Sequence, residues 1–139
     1  MLKFLLRGFV YLHVAFYRLS GGRILGRFGK ARICLLTTRG RKSGKARTVP
    51  LNCLEKGENV ALVASLGGAP RHPVWFLNLQ ADPLVEIELG ATRRRMRARV
   101  ASVEEKNRLW PKLVDIYPPY EAYQKRTSRQ IPVVLLTPT

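Results

Sequence analysis

From Arg32 to the last residue the chain runs as short stretches of β-forming residues separated by turn clusters, and this alternation limits the fold more than any other feature. RICLLTT (32–38) and ARTVPLNCL (46–54) flank the turn cluster Arg39 to Lys45 and predict a hairpin. If that hairpin is symmetric about Ser43 and Gly44, Cys34 stands opposite Cys53. Glu55 to Asn59 is a second turn, and VALVAS (60–65) is a third, buried strand. After a loop with Gly67, Gly68 and Pro70, Pro73 opens a short helix, VWFLNLQA, that ends before Pro83. Residues 84–89 and 93–101 predict a second hairpin around Gly90 to Thr92. There Glu86 and Glu88 share a face with Arg95, Arg97 and either Arg93 or Arg99, so acids and arginines pair across strands. Ser102 with Glu105 is a capping box, and its helix is expected to reach Trp110 before Pro111 interrupts it. Short helical pieces follow through Tyr117 to Thr127, and IPVVLL (131–136) reads as a buried final strand. Five or six strands with helices at one end predict a mainly β fold with flanking helices (α+β), a small closed or split barrel that hides its strand edges.

Residues 1–19 follow a different period. Their longest charge-free run is Gly8 to Tyr17, too short for a membrane span of about 20 apolar residues. No small-x-small cleavage site precedes Arg18, so signal-peptide logic fails as well. On a helix, Lys3, Arg7, Val14 and Arg18 fall in one stripe about 60° wide, and Leu2, Leu5, Leu6, Phe9, Leu12, Phe16 and Leu19 cover most of the rest. Such a helix either docks on the protein's own core or lies among anionic lipid headgroups. The glycine-rich segment Ser20 to Lys30 reads as a mobile connection, which divides the chain into a helix and linker (1–30) and a barrel (31–139). Deleting residues 1–29 is expected to leave the barrel folded and to lower liposome binding.

The chain has 139 residues, enough for one domain with a real core. Lys and Arg number 25 against nine Asp and Glu, a formal charge of +16, and residues 1–50 hold twelve of those cations and no carboxylate. A negatively charged ligand is implied, phosphate first. Charge is the only argument for nucleic acid, because aromatic residues do not interleave with the basic runs, so no specific nucleic-acid partner is expected. Cys34 and Cys53 are too few for a disulfide framework, which suits a cytoplasmic protein; they read as buried small hydrophobes or as a cross-strand thiol pair. His13 and His72 lack metal-ligand spacing, and no metal is expected. No Ser-His-Asp order, convincing carboxylate pair or Cys-His pair is present, so any reaction should be carried by a cofactor.

RGRKSGKAR (39–47) concentrates five cations, two glycines and a hydroxyl. With positive φ at Gly40 and Gly44, its successive N–H groups could line a phosphate nest ringed by Arg41, Lys42, Ser43 and Arg47; the plainer alternative is a solvated basic turn. It is not a Walker loop, since the glycine spacing is one residue short and Ala46 replaces Ser or Thr. Ala64 to Pro73 is a glycine loop where backbone could approach a flat ligand. Trp75 and Asn78 share one helix face, the Trp either in the core or at a site. Tyr117, Tyr120 and Tyr123, three apart, would stack on one side of a helix, either lining a pocket or simply packing.

Taken together, LLTTRGRKSGKARTVPL, ASLGGAPRHPVWFLNLQADP and WPKLVDIYPPYEAYQKRTSRQIPVVLL resemble the deazaflavin-dependent nitroreductase family over about residues 32–139. The resemblance implies a split β-barrel of the flavin-binding type that binds coenzyme F420, an 8-hydroxy-5-deazaflavin. It implies hydride transfer from the reduced cofactor to a quinone or a nitro-heteroaromatic acceptor. By position, Arg41, Lys42, Ser43 and Arg47 would hold the phosphate and glutamyl tail. Val49, Pro50 and Leu51 would present the second strand to the ring, Ala64, Ser65, Gly67 and Gly68 would pass beside it, and Trp75 and Asn78 would lie near the pocket. Tyr117, Tyr120 and Tyr123, with Ser65, would form the catalytic, acceptor-facing group. Two positions depart from the family pattern: Asn52 stands where an aromatic residue is expected and Leu66 where a polar or basic one is. The amphipathic N-terminus resembles the membrane-associating segment of some relatives, which implies a protein peripheral to the inner face of the cell membrane. A non-catalytic carrier of the same cofactor shares every phosphate-site feature and stays open at this point.

Overall fold

The computed structural model describes residues 2–139, with side chains from Leu5 onward, so Leu2 and Lys3 of the N-terminal stripe lie outside the described side chains. Helix α1 (Leu2–Leu19) leads into a two-residue strand β1 (Arg27–Phe28). The barrel is built from β2 (Ala31–Arg39), β3 (Ala46–Lys56), β4 (Asn59–Val63), β5 (Leu84–Leu89), β6 (Thr92–Val100) and β7 (Val133–Pro138). A 3-10 turn (Leu66–Gly68) and α2 (Val74–Ala81) connect β4 to β5, while α3 (Val103–Ile116) and α4 (Pro119–Arg126) connect β6 to β7. The strand order is β1-β2-β3-β4-β7-β6-β5, every pairing is antiparallel, and β2 also pairs with β5, which closes a six-stranded barrel.

The apolar pattern of each strand follows from what covers its outer face. Inside, Cys34, Leu36, Val60, Leu62, Val85, Ile87, Met96 and Leu136 form the core, and α2 contributes Trp75, Phe76 and Leu79 to it. Outside β2, Ile33 and Leu35 are covered by Val10, Val14 and Tyr17 of α1. Outside β4 and β7, Ala61, Val63 and Val133 are covered by Leu109 and Leu113 of α3 and Tyr120 of α4. Strands buried on both faces read as continuous apolar runs, which explains ICLL, VALV and VVLL. In β6 only Met96 and Ala98 are buried, and arginines occupy the outer face.

Several expectations change in the structure. The first hairpin is offset by two residues, so Cys34 stands opposite Leu51, and Cys53 opposite Arg32. The two thiols remain diagonal neighbours on the inner face: both are buried and free, and a hydrogen bond with Cys53, reinforced by burial, pushes the Cys34 thiol well up. The Ser102–Glu105 capping box is present, with Glu105 N–H donating to Ser102 Oγ at 3.2 Å and Ser102 N–H to Glu105 Oε1 at 2.9 Å. Its helix does not stop at Pro111 but runs on to Ile116. The carbonyl that Pro111 leaves without its helical partner belongs to Asn107, on the exposed side, where burial imposes no penalty on it. In the second hairpin Glu88 pairs with Arg93 at 3.3 Å, but its closer partner is Arg18 of α1, and Arg99 instead forks onto Glu105 at 2.7 Å. The segment after α1 is a built turn rather than a free tether: Gly22 N–H donates to Tyr17 O, Ile33 N–H donates to Gly26 O, and β1 pairs with β2.

Helix α1 docks by Val10, Val14, Tyr17 and Arg18, a face that takes in Val14 and Arg18 of the narrow stripe, and leaves its broad apolar arc outside. Tyr17 is 1% exposed; its hydroxyl donates to Ile33 O at 2.9 Å and accepts from Gly90 N–H at 2.8 Å. Arg18 grips Glu88 with two nitrogens, Nε to Oε1 at 3.1 Å and Nη2 to Oε2 at 2.8 Å. Leu5, Leu6, Phe9, Leu12, Phe16 and Leu19 are exposed. Among the described residues no helix is long and apolar enough to cross a membrane.

Candidate active site

The β2–β3 turn is fixed by its own backbone and by α2. Gly40 N–H donates to Lys45 O at 2.8 Å, Gly44 N–H to Gly40 O at 2.7 Å, and Lys45 N–H to Ser43 Oγ at 3.2 Å. Asn78, buried on α2, accepts from Arg41 N–H at 3.1 Å and donates to Thr38 Oγ1 at 3.2 Å, which ties the turn to the helix. Only Gly44 takes positive φ; Gly40 is required for space instead, since a Cβ there would lie 2.8 Å from Ser43 Oγ. The expected run of N–H groups is therefore mostly spent within the turn. Anion recognition falls to the side chains, with the Lys42 and Ser43 amides left unpartnered among the described residues.

Beside this turn lies a cavity of about 600 Å3 that brings together Arg41, Lys42, Ser43, Arg47, Val49, Trp75 and Asn78 of the expected site. Its second wall, not foreseen from the sequence, is α1, which contributes Arg7, Val10, Tyr11, Val14 and Arg18. Val14, standing alone on a cationic stripe, was the available signal that this stripe faces protein. No carboxylate lines the cavity, and apart from Arg18 none of its cations has an ion pair among the described residues. The cavity of about 550 Å3 on the other side of the turn carries Asp82 and Glu86, which disfavours a polyanion there. The donor set, with Val49, Val74 and Trp75 beside it, thus fits the anionic part of a ligand whose remainder is partly apolar.

The tyrosines form a second cluster, not a stripe on one helix. Tyr117 sits at the break between α3 and α4, where its N–H donates to Leu113 O at 3.0 Å. Its ring meets Tyr120 edge-on at 4.8 Å, and its hydroxyl bonds that of Tyr123 at 3.0 Å. The Tyr123 bond and then burial push the Tyr117 phenol up to about 12. Burial pushes Tyr120 up to about 12 against a hydrogen bond with Asn52 that acts the other way. The glycine loop joins this cluster: Gly68 lies against the α4 backbone, where a Cβ would come within 2.6 Å of Tyr123 O. Pro50, Leu51, Ala64, Ser65, Gly67, Gly68 and the three tyrosines do not line the α1 cavity. Strand β3 connects the two clusters, because Arg47 lines the cavity and Asn52 reaches Tyr120. Five residue steps along an extended strand span about 17 Å.

The comparisons agree with this architecture. Residues 9–138 match the sequence model of a family described as F420H(2)-dependent quinone reductase. The F420H(2)-dependent quinone reductase Rv1261c of Mycobacterium tuberculosis is 42% identical over 130 residues, 91% of this chain and 87% of that one. The solved F420-H2-dependent reductase FDR-A is 44% identical, superposes with a TM-score of 0.70 and covers 75% of this chain and 92% of its own. A chain solved as a domain-swapped dimer is 35% identical with a TM-score of 0.74, covering 98% of this chain and 99% of its own. With a closed antiparallel barrel, a cationic turn at one end of β3 and matches along nearly its whole length, this chain belongs to the F420H(2)-dependent quinone reductase family, an oxidoreductase family of split-barrel fold.

Proposed function

We propose that this chain reduces a quinone with the reduced form of coenzyme F420, the coenzyme held along β3 with its anionic tail at the Arg39–Arg47 turn and its ring toward the tyrosines. The observation that carries the reading is the carboxylate-free cavity walled by Arg41, Lys42, Ser43, Arg47 and α1, with Arg47 about 17 Å along β3 from Asn52, which meets the cluster of three phenols. When bound, the reduced deazaflavin supplies a hydride from its C5 carbon. Arg41, Lys42 and Arg47, with Arg7 across the cavity, bind the phosphate and glutamates as charge-assisted donors. Val49, Pro50 and Leu51 present one wall to the ring, Trp75 and Asn78 fix its tail end, and Ala64, Ser65, Gly67 and Gly68 fix its edge. Tyr117, Tyr120 and Tyr123, with the Ser65 hydroxyl, hold the quinone by its oxygens.

A quinone that accepts a hydride becomes a hydroquinone anion, which needs one proton. Phenols raised to about 12 hold their O–H at neutral pH, so Tyr117 and Tyr120 would donate hydrogen bonds that stabilise the charge on that oxygen, while the proton itself is taken from solvent. A nitro-heteroaromatic acceptor, also flat and also building negative charge on oxygen, would use the same groups. The exposed arc of Leu5, Phe9, Leu12, Phe16 and Leu19 would rest in a membrane surface from which an apolar quinone is drawn. The test is to replace Arg41, Lys42 and Arg47 together with alanine and titrate with oxidised coenzyme. At about 1 kcal/mol for each screened charge contact, affinity should fall about 100-fold. Unchanged affinity would sink the tail assignment, while binding without turnover of a menaquinone analogue in the parent protein would leave a carrier.

A further inference from the structure

The loop between β4 and α2 is bent in a way its sequence alone would not hold. Leu66 (φ 44°), Gly67 (63°) and Gly68 (81°) are three successive residues in the left-handed region, and the first carries a branched side chain. What holds them comes from 60 residues further along the chain. Arg129, between α4 and β7, donates from Nη2 to Ser65 O at 2.7 Å, from Nε to Ala69 O at 2.8 Å and from Nη1 to Ala64 O at 3.2 Å. Its Nη1 also lies 3.1 Å from His72 Nδ1. One planar guanidinium therefore spans the loop from its first residue to its last, a geometry that a lysine ammonium cannot reproduce.

A guanidinium only donates, so His72 Nδ1 accepts in this contact, and burial with the neighbouring Arg129 charge holds the His72 pKa below its usual value. Arg126 Nη1 reaches Gly67 O at 3.4 Å from the same side. The carbonyls of Ala64, Ser65, Gly67 and Ala69 are thus engaged by arginines, and those arginines lie among α4, its following turn and the tyrosine cluster. The loop is pinned against the acceptor end of the molecule.

We propose that Arg129 is a positioning residue of the active site: by fixing the Ala64–Ala69 backbone it sets the surface against which the deazaflavin ring rests, and so governs ring affinity separately from tail affinity. This rests on the site reading above, in which that loop borders the ring. The experiment compares Arg129→Met and Arg129→Lys with the parent protein for three ligands: whole coenzyme F420, the tail-less 8-hydroxy-5-deazaflavin, and inorganic pyrophosphate as a competitor for the cationic turn. In Arg129→Met the dissociation constants of whole coenzyme and tail-less ring should rise by the same factor, at least fivefold, with pyrophosphate binding unchanged; Arg129→Lys should fall between. Ring affinity equal to the parent's in either folded variant overturns the proposal. So does parallel loss of ring, pyrophosphate and thermal stability in Arg129→Lys, the mark of a merely structural residue. A parent protein that binds pyrophosphate but not the tail-less ring overturns the site reading and this inference with it.

Discussion

Tyr120 is only 5% exposed, and burial is what makes its phenol so weak an acid. Its pKa of about 12 has two consequences at the level of this one residue. On the proposed mechanism the O–H, which survives far above neutral pH, would donate a hydrogen bond to an oxygen gaining charge as hydride arrives. Tyr120→Phe should then lower turnover with a quinone about tenfold to a hundredfold while leaving coenzyme affinity unchanged, as steady-state kinetics and a fluorescence titration will show. Equal loss of both would move Tyr120 out of the acceptor site. In stability the sign is fixed by the upward shift from 10 to about 12. Folding holds the proton more tightly than the unfolded chain does, so this contribution is complete below pH 10 and disappears between pH 10 and 12. Thermal melts should fall steeply across that window, and less steeply in Tyr120→Phe. Asn52, where the family pattern leads one to expect an aromatic ring, meets Tyr120 from 68 positions away, a contact that no local pattern encodes.

Among the elements, the strands were readable because each burial pattern has a local cause. Alternation marks β6, whose outer face meets water, and unbroken apolar runs mark β2, β4 and β7, which helices cover on the outside. What stayed hidden depends on contacts distant in sequence. The hairpin register lies two residues away from the symmetric one because Asn78 and the Gly40–Lys45 bond, not the midpoint of the turn, set it. Pro111 did not end α3, because Leu109 and Leu113 on either side of it are buried against β4 and β7 and hold the helix together. The phenols lay at helical spacing, yet a helix break at Tyr117 turned the stripe into a cluster. Periodicity alone allows helix α1 two fates, and its docking hangs on Tyr17. Tyr17→Phe would leave the Ile33 carbonyl buried and the half-buried Gly90 N–H without the hydroxyl that each bonds, a cost of about 1–3 kcal/mol that urea unfolding should register. Stability equal to the parent's would mean that Arg18 and the valines carry the docking alone.

For the whole molecule the decisive relation is between a charge of +16 and an apolar helix face turned to solvent. Ile24, Leu25 and Phe28 are exposed as well, and the α1 cavity with its cations is lined by Arg7, Val10, Val14 and Arg18 rather than by Phe9, Leu12, Phe16 or Leu19 of that face. On the proposed reading α1 would lie in a headgroup layer with its apolar arc toward the acyl boundary, while the cavity on its other side stays in water. Removal of residues 1–29 is consequently a poor test of the membrane role, since it also uncovers Ile33 and Leu35 of β2. Surface substitution separates the two effects. Phe9 and Phe16 are 69% and 49% exposed, and replacing both with serine removes about 2 kcal/mol of insertion energy each without touching Val14 or Tyr17. The double variant should unfold at the same urea concentration as the parent, bind soluble menadione and coenzyme equally well, and lose sedimentation with phosphatidylglycerol vesicles. Its turnover of a long-chain menaquinone held in those vesicles should fall, because the substrate is then presented only in the bilayer. Undiminished vesicle binding would assign the arc to another surface, and a parent dimer that the two serines dissociate would identify that surface as a second copy of the chain.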